Sequence, residues 1–236
     1  MKVHLVTYGD SKYTEIKGSF VKSALSSSFF DELHIYSDLD LDPIFYNEIY
    51  VPIKSCRGGG FWIWKPYFIK KVLDEIDNDD ILIYCDAGST INTGGRKRFE
   101  EYINMLSSPD KSTIDFKLFW REYQYTKQEV FDYFNSPPEI INSPQLHSTI
   151  LILKKCSHTT LLVNKWYEIA INNPSLFTDE KRVPQHPSFI DHRHDQSVFS
   201  IIRKTYGANI LFDETSYPDF TREGRLSPFW ATQLKP

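Results

Sequence analysis

The stretch from Gly58 to Asn92 constrains the fold more than any other part of this chain, because it sets GGGFWIWKPYFIKKVLDEID directly before NDDILIYCDAGSTIN. Proline fixes φ and favours the first helical position, so a helix is expected from Pro66 to Ile76, with Lys65 extended near its N-cap. Phe68, Ile69, Val72, Leu73 and Ile76 recur at three- and four-residue steps, one apolar stripe facing a sheet. Asn78, Asp79 and Asp80 turn the chain. The run Ile81–Cys85 is continuously apolar rather than alternating, as in a strand covered on both faces. The helix covers roughly 16 Å and a strand to Asp86 returns roughly 20 Å. The glycine loop, Lys65 and Asp86 are therefore expected at one sheet edge, the carboxyl end where open α/β sheets bind ligands. Asp86 is the first charge after the run and needs a cation or a hydrogen-bonded ligand.

Along the rest of the chain, strands are expected at Val3–Thr7, Leu33–Tyr36, Glu48–Val51, Ile81–Cys85, Phe116–Trp120, Thr149–Leu153 and Ile210–Phe212. Helices are expected at Glu15–Ser26, Pro66–Ile76, Arg96–Leu106, Lys127–Phe134, Thr159–Ile171 and Asp195–Thr205. The alternation predicts an α/β fold, a mostly parallel central sheet flanked by helices. With 236 residues, 41% of them apolar, residues 1–236 are expected to form a single domain. Pro137, Pro138 and Pro144 bracket a loop, and Asn173–His192 reads as a long polar excursion.

A formal net charge of -4 argues against nucleic acid as the main partner. Cys56, Cys85 and Cys156 are odd in number and widely spaced, which indicates neither a disulfide framework nor a zinc site. No transmembrane segment and no leader is expected, since no apolar run approaches the ~20 residues of a span. The expected location is cytoplasmic, with peripheral membrane contact through aromatic residues left open. The oligomeric state is not legible.

The series VHLVTYGD, GGGFWIWKPYFI, DDILIYCDAGSTIN, SPQLHSTILILKK and HRHDQSVFSII, in that order, resembles small GT-A glycosyltransferases that use nucleotide sugars. Within them it is similar to enzymes of bacteria and large DNA viruses with a WIWKP and DAG pattern, and more distantly to glycogenin-type transferases. The likeness spans Lys2 to Gly207. It implies a GT-A, Rossmann-like fold, a nucleoside-diphosphate sugar donor that is UDP-linked, a glycan or other hydroxyl acceptor, and a hexosyl- or deoxyhexosyltransferase activity.

For the donor, the resemblance implies that Thr7 and Tyr8 hold the base with Asp10 nearby, and that Lys65 approaches the phosphates or the acidic motif. A lysine at a helix N-terminus adds to an anion site, which agrees. Arg57 and the glycines Gly58–Gly60 also suit phosphates, although three glycines can be a mere flexible connection. Asp86 matches the first acid of the DxD motif, followed by Ala87 and Gly88, and its implied partner is a divalent metal, Mn or Mg. Gly88 stands where the motif has its second acid, which thins the ligand set that such hard ions favour. Asp86 capping the turn through Ser89 and Thr90 is the plain alternative. Gln145, His147 and Ser148 are implied sugar contacts. Trp62 and Trp64 either stack on an acceptor sugar or pack in the core. Asp195 and Gln196 match the pair lining the reaction centre, with Asp195 orienting the acceptor or acting as base, or else serving as an N-cap. His194 is an acceptor-side candidate, and His192 with His194 could complete a metal shell.

Three other functions are compatible with these residues. A catalytically silent nucleotide-sugar or glycan binding module of the same fold is the main one. A phosphohydrolase lacks a downstream acidic cluster, and a lectin-like role leaves Lys65 and Asp86 without a reason.

Overall fold

The computed structural model describes residues 1–108 and 110–235. Its strands are β1 (Val3–Tyr8), β2 (Glu32–Tyr36), β3 (Ile81–Cys85), β4 (Thr90–Ile91), β5 (Thr113–Arg121), β6 (Pro144–Leu146), β7 (Ile150–Lys154), β8 (Ile210–Phe212) and β9 (Phe229–Trp230). The helices are α1 (Thr14–Ser27), α2 (Arg57–Phe61), α3 (Trp64–Glu75), α4 (Arg96–Leu106), α5 (Glu122–Tyr125), α6 (Gln128–Phe134), α7 (Pro138–Ile141), α8 (Ser157–Asn172) and α9 (His194–Tyr206).

The central sheet runs in the order β2-β1-β3-β7-β5-β6, with β8 beside β5. Strands β1, β2, β3, β5 and β8 point one way, whereas β7 and β6 run against them. β4 and β9 form a separate antiparallel pair. Every residue of β3 is buried, because its alternate side chains enter two cores. Leu82 and Tyr84 join the apolar stripe of α3 with residues of α8 and α9. Ile81, Ile83 and Cys85 meet α1 and α4. Phe68, Ile69, Val72 and Leu73 of α3 are each at most 1% exposed. At ~1.5–3 kcal/mol per buried large apolar side chain, that stripe fixes α3 on the sheet.

Two expectations change. Glu48–Val51 is no strand: Phe45–Tyr50 winds as a π turn, closed by Val51 N donating to Tyr46 O at 2.8 Å. Phe45 and Tyr50 are five residues apart, an odd spacing that a strand would send to opposite faces. The wide turn buries both. Asp42 starts it, its Oδ1 accepting from the Ile44 and Phe45 amides at 2.9 Å each. Helix α3 also begins earlier than Pro66, so Lys65 lies inside the helix rather than extended at its cap. Proline is tolerated there because amides of a first turn have no intrahelical partner anyway.

The excursion from Asn173 to His192 contains one short 3-10 turn, Pro174–Phe177. It is gathered by Lys127, whose Nζ donates to Ser175 O, Thr178 O and Glu180 O at 2.6, 2.8 and 2.8 Å.

Candidate active site

Burial of the α3 stripe turns the first turn of that helix toward the end of β3, and Lys65 is the side chain delivered there. It is 2% exposed. Its Nζ donates to Ser148 O at 3.1 Å and lies 3.2 Å from Asp86 Oδ1 and 2.6 Å from Asp195 Oδ2. The contact to Asp195 is a close ion pair without hydrogen-bond alignment. Tyr84, one strand position before Cys85, presents its ring 5.1 Å from the ammonium and donates its hydroxyl to Asp86 Oδ1 at 2.7 Å. The Asp86 carboxylate thus engages Tyr84 and Lys65; the turn that follows is closed by backbone, Ser89 N donating to Asp86 O at 2.9 Å.

One ammonium serves two carboxylates, and the titrations follow from that. Burial alone would lower the Lys65 pKa, but Asp195 and Asp86 outweigh it and the net shift is upward. Burial raises Asp195 to about 6, against the pull of Lys65 and with the help of repulsion from Asp86.

Asp195 and Gln196 enter from the first turn of α9. Ser197 Oγ accepts the Arg193 amide at 3.0 Å and donates to Tyr125 O at 2.6 Å, which anchors the helix start. His194 adopts a left-handed φ of 49° there. Gln196 Oε1 accepts from Ser148 N at 3.1 Å and its Nε2 donates to Gln145 Oε1 at 2.7 Å. Further along α9, fully buried Arg203 pairs with Asp115 at 2.8 Å and donates to His147 O at 2.9 Å and Ser148 Oγ at 3.1 Å. Sequence reading passed over Arg203, Asp115 and Tyr84, which resemble ordinary helix and strand residues until the fold brings them together.

The aromatic wall comes from β1 and the glycine segment. The Tyr8 and Trp64 rings stack at 3.8 Å, and Tyr8 OH shares a hydrogen bond with Tyr50 OH at 3.3 Å. Trp64 is therefore a packed side chain whose Nε1 donates to Gly58 O at 3.3 Å. Gly58, Gly59, Gly60, Phe61 and Trp62 all have φ between 55° and 94°, a left-handed turn rather than a slack loop. Its hand lays the half-buried Trp62 against His194, centroids 5.6 Å apart. Arg57 does not point freely at the cleft, since Nη1 donates to Asp191 Oδ2 at 2.6 Å.

Several candidates lie elsewhere than expected. Thr7 is a fully buried residue of β1 and does not line the cleft. His147 also lies behind the wall, its Nδ1 3.4 Å from Thr215 Oγ1, and burial pushes its pKa down to about 4. His192 and His194 do not converge as metal ligands. His192 Nε2 donates to Leu176 O at 2.9 Å while its Nδ1 accepts from Lys127 N at 3.3 Å, and His194 Nδ1 donates to Phe177 O at 2.7 Å. His194 does reach the cleft, and among the described residues its buried Nε2 has no hydrogen-bond partner. Asp10 lines the cleft while its Oδ1 accepts from Lys12 N at 3.0 Å.

Ala87 and Gly88 form the opposite lip, where residues not anticipated from sequence appear. Leu234 N donates to Gly88 O at 2.9 Å and Thr232 Oγ1 donates to the same oxygen at 2.7 Å. A Cβ on Gly88 would stand 2.6 Å from Leu234 O. The tail occupies the room that an acidic side chain would need, so the missing acid and the tail are one feature. No periodicity or motif marks Gln233–Lys235 as cleft residues.

The cleft encloses about 640 Å³. Lys12, Lys54, Arg57, Lys65, Arg193 and Lys235 line it against the carboxylates of Asp10, Asp86 and Asp195. In a chain of net charge -4 this is a concentration of positive charge suited to a polyphosphate. For a divalent metal the protein offers little: Asp86 Oδ1 is engaged, and Oδ2 is its oxygen without a hydrogen bond among the described residues. The arrangement fits an ion that arrives with phosphate and water ligands, the habit of Mg²⁺.

No protein-family model and no curated protein matches the chain. Solved structures do. A glycosyltransferase involved in the glycosylation of the major capsid of PBCV-1 superposes with a TM-score of 0.56 at 8% identity, over 98% of this chain and 92% of that one. The galactosyltransferase LgtC, in complex with donor and acceptor sugar analogs, gives 0.50 at 12% identity, over 98% and 88%. The fold is that of the GT-A glycosyltransferases.

Proposed function

We propose that this chain is a glycosyltransferase that moves a sugar from a nucleoside-diphosphate sugar, UDP-linked, to a hydroxyl of a glycan or similar acceptor. The observation that carries the reading is Lys65 held between Asp86 and Asp195 at the floor of a cation-lined cleft at the carboxyl end of β3. The GT-A fold supports it.

In this reading the acceptor oxygen bonds to the anomeric carbon as the bond from that carbon to the β-phosphate oxygen breaks. The acceptor proton passes to the departing β-phosphate oxygen, on which negative charge grows as its bond to the anomeric carbon breaks. Lys12, Lys54 and Lys235 are the cleft ammoniums that meet this charge, and positive groups already in place cost no reorganisation. Arg57 joins them by exchanging Asp191 for phosphate. Tyr8 forms the base-side wall with Trp64 behind it, and Trp62 and His194 form the acceptor side. Asp86, together with the donor's own phosphates, would hold a divalent cation, which when bound offsets charge on the leaving group.

Asp195 is paired with Lys65 at 2.6 Å and almost fully enclosed. A general base needs a lone pair facing the acceptor. Asp195 therefore acts by positioning Lys65 and by its negative charge near the anomeric carbon, with Gln196 beside it, which favours retention of configuration.

The test is a panel of nucleotide sugars in a thermal-shift assay, with and without Mn²⁺, followed by mass spectrometry of products. A ligand at 100 times its Kd stabilises by about 2.7 kcal/mol. Asp86→Asn is expected to abolish most transfer while circular dichroism stays unchanged. A donor that binds with neither transfer nor hydrolysis would instead identify a binding module of the same fold.

A further inference from the structure

We propose a second metal site, independent of the cleft, at the opposite edge of the sheet, built by His4, Glu32 and His34 for a zinc-like divalent transition ion. β1 and β2 pair in parallel with His4 opposite Glu32 and Val6 opposite His34, so all three side chains share one face. His4 Nδ1 lies 3.1 Å from His34 Nε2 and 3.6 Å from Glu32 Oε2, and the three ligand atoms are all within 4.8 Å of one another. Ligands bound at about 2.0–2.2 Å in a tetrahedron stand about 3.3–3.6 Å apart. The spacing is nearly that of a bound ion before any ion is added.

A second observation sets the chemistry. The remaining nitrogen of His4, Nε2, lies 3.3 Å from Asp80 Oδ2. That carboxylate holds the ring proton on Nε2 and leaves the Nδ1 lone pair facing His34 and Glu32, the outer partner that metal-binding histidines use. Asp80 is itself fixed, its Oδ1 accepting from Lys2 N at 2.6 Å. Lys2 Nζ opposes binding from 2.7 Å, but on the other oxygen, Oε1, leaving Oε2 turned inward.

Entry is open through Glu32, whose side chain is 44% exposed, and a water completes the fourth position. Two imidazoles and one carboxylate suit zinc better than the hard ions that phosphates bring to the cleft. Its place, about 13 Å along β1 from Tyr8, and its location at the amino ends of the strands separate it from the sugar-nucleotide site. The ion would pin β2, the edge strand, to β1.

The tag-free chain, stripped with chelator, is titrated with zinc alone by calorimetry, and with Co²⁺ by visible absorption. One equivalent per chain with a four-coordinate Co²⁺ spectrum is expected. His34→Ala should lose that equivalent, Asp80→Asn should weaken it about 10- to 100-fold, and Asp86→Asn should leave it untouched. Substoichiometric binding by the unaltered chain, equal binding by His34→Ala, or loss in Asp86→Asn each overturns the proposal.

Discussion

At the residue scale, Lys65 holds two carboxylates together at the floor of the cleft, and its removal is expected to have two separable effects. Lys65→Met leaves Asp86 and Asp195 facing each other without a cation, and breaking such a buried pair costs about 3–5 kcal/mol. Calorimetry of the variant should separately show weaker nucleoside-diphosphate binding, because the two carboxylates that Lys65 neutralises would then repel the diphosphate; equal affinity would mean that the charge at the cleft floor does not reach the ligand. Asp195 supplies the pH dependence. Its pKa is raised to about 6 in the folded chain against an ordinary 3.8. Between these values the folded state holds a proton that the unfolded state releases, so this group's contribution to stability falls as pH rises through that window. Activity moves the other way, since the ion pair needs the carboxylate. We expect kcat/KM to drop below about pH 6, with that limb absent from any residual activity of Asp195→Asn. Lys65 and Asp86 were legible in sequence because a helix and a strand of known rise return the chain to one edge. Tyr84 was not, since in a run of apolar residues a tyrosine reads as core until its hydroxyl finds Asp86.

At the scale of elements, regular periodicity was readable and irregular backbone was not. The stripe of α3, the run of β3 and the limits of α4 follow from side-chain spacing alone. The π turn at Phe45–Tyr50 did not, because Glu48–Val51 carries β-favouring residues and the arrangement depends on Asp42 and on burial of two rings five residues apart. The contact between the tail and Gly88 pairs segments more than 140 positions apart. Its consequence is testable: Gly88→Asp restores an acid to the motif but collides with Leu234 O, so the tail must move. We expect a stability loss of about 1–3 kcal/mol and faster proteolysis at Gln233–Lys235. Unchanged melting and proteolysis would mean that the tail is held by other contacts.

At the scale of the whole molecule, α9 joins the cleft to the sheet through Arg203, which ties Asp115 on β5 to the turn bearing His147 and Ser148. Arg203→Met strands a buried carboxylate, with an expected cost of about 3–5 kcal/mol, or roughly 10 °C in Tm for a chain of this size. A smaller shift would mean that Thr113 and Asn209, which also donate to Asp115, satisfy it alone. The layered α/β arrangement was predictable from alternating elements, whereas this cross-link depends on which partners the topology makes neighbours. One further property concerns handedness. The stretch from Gly58 to Trp62 coils in the mirror sense of the surrounding helices, a conformation that costs an L-residue roughly 1–2 kcal/mol per position. Three of its five members are the single achiral building block of the genetic code. Stereochemistry thereby narrows what mutation can place at the cleft mouth before any substrate makes a demand of its own.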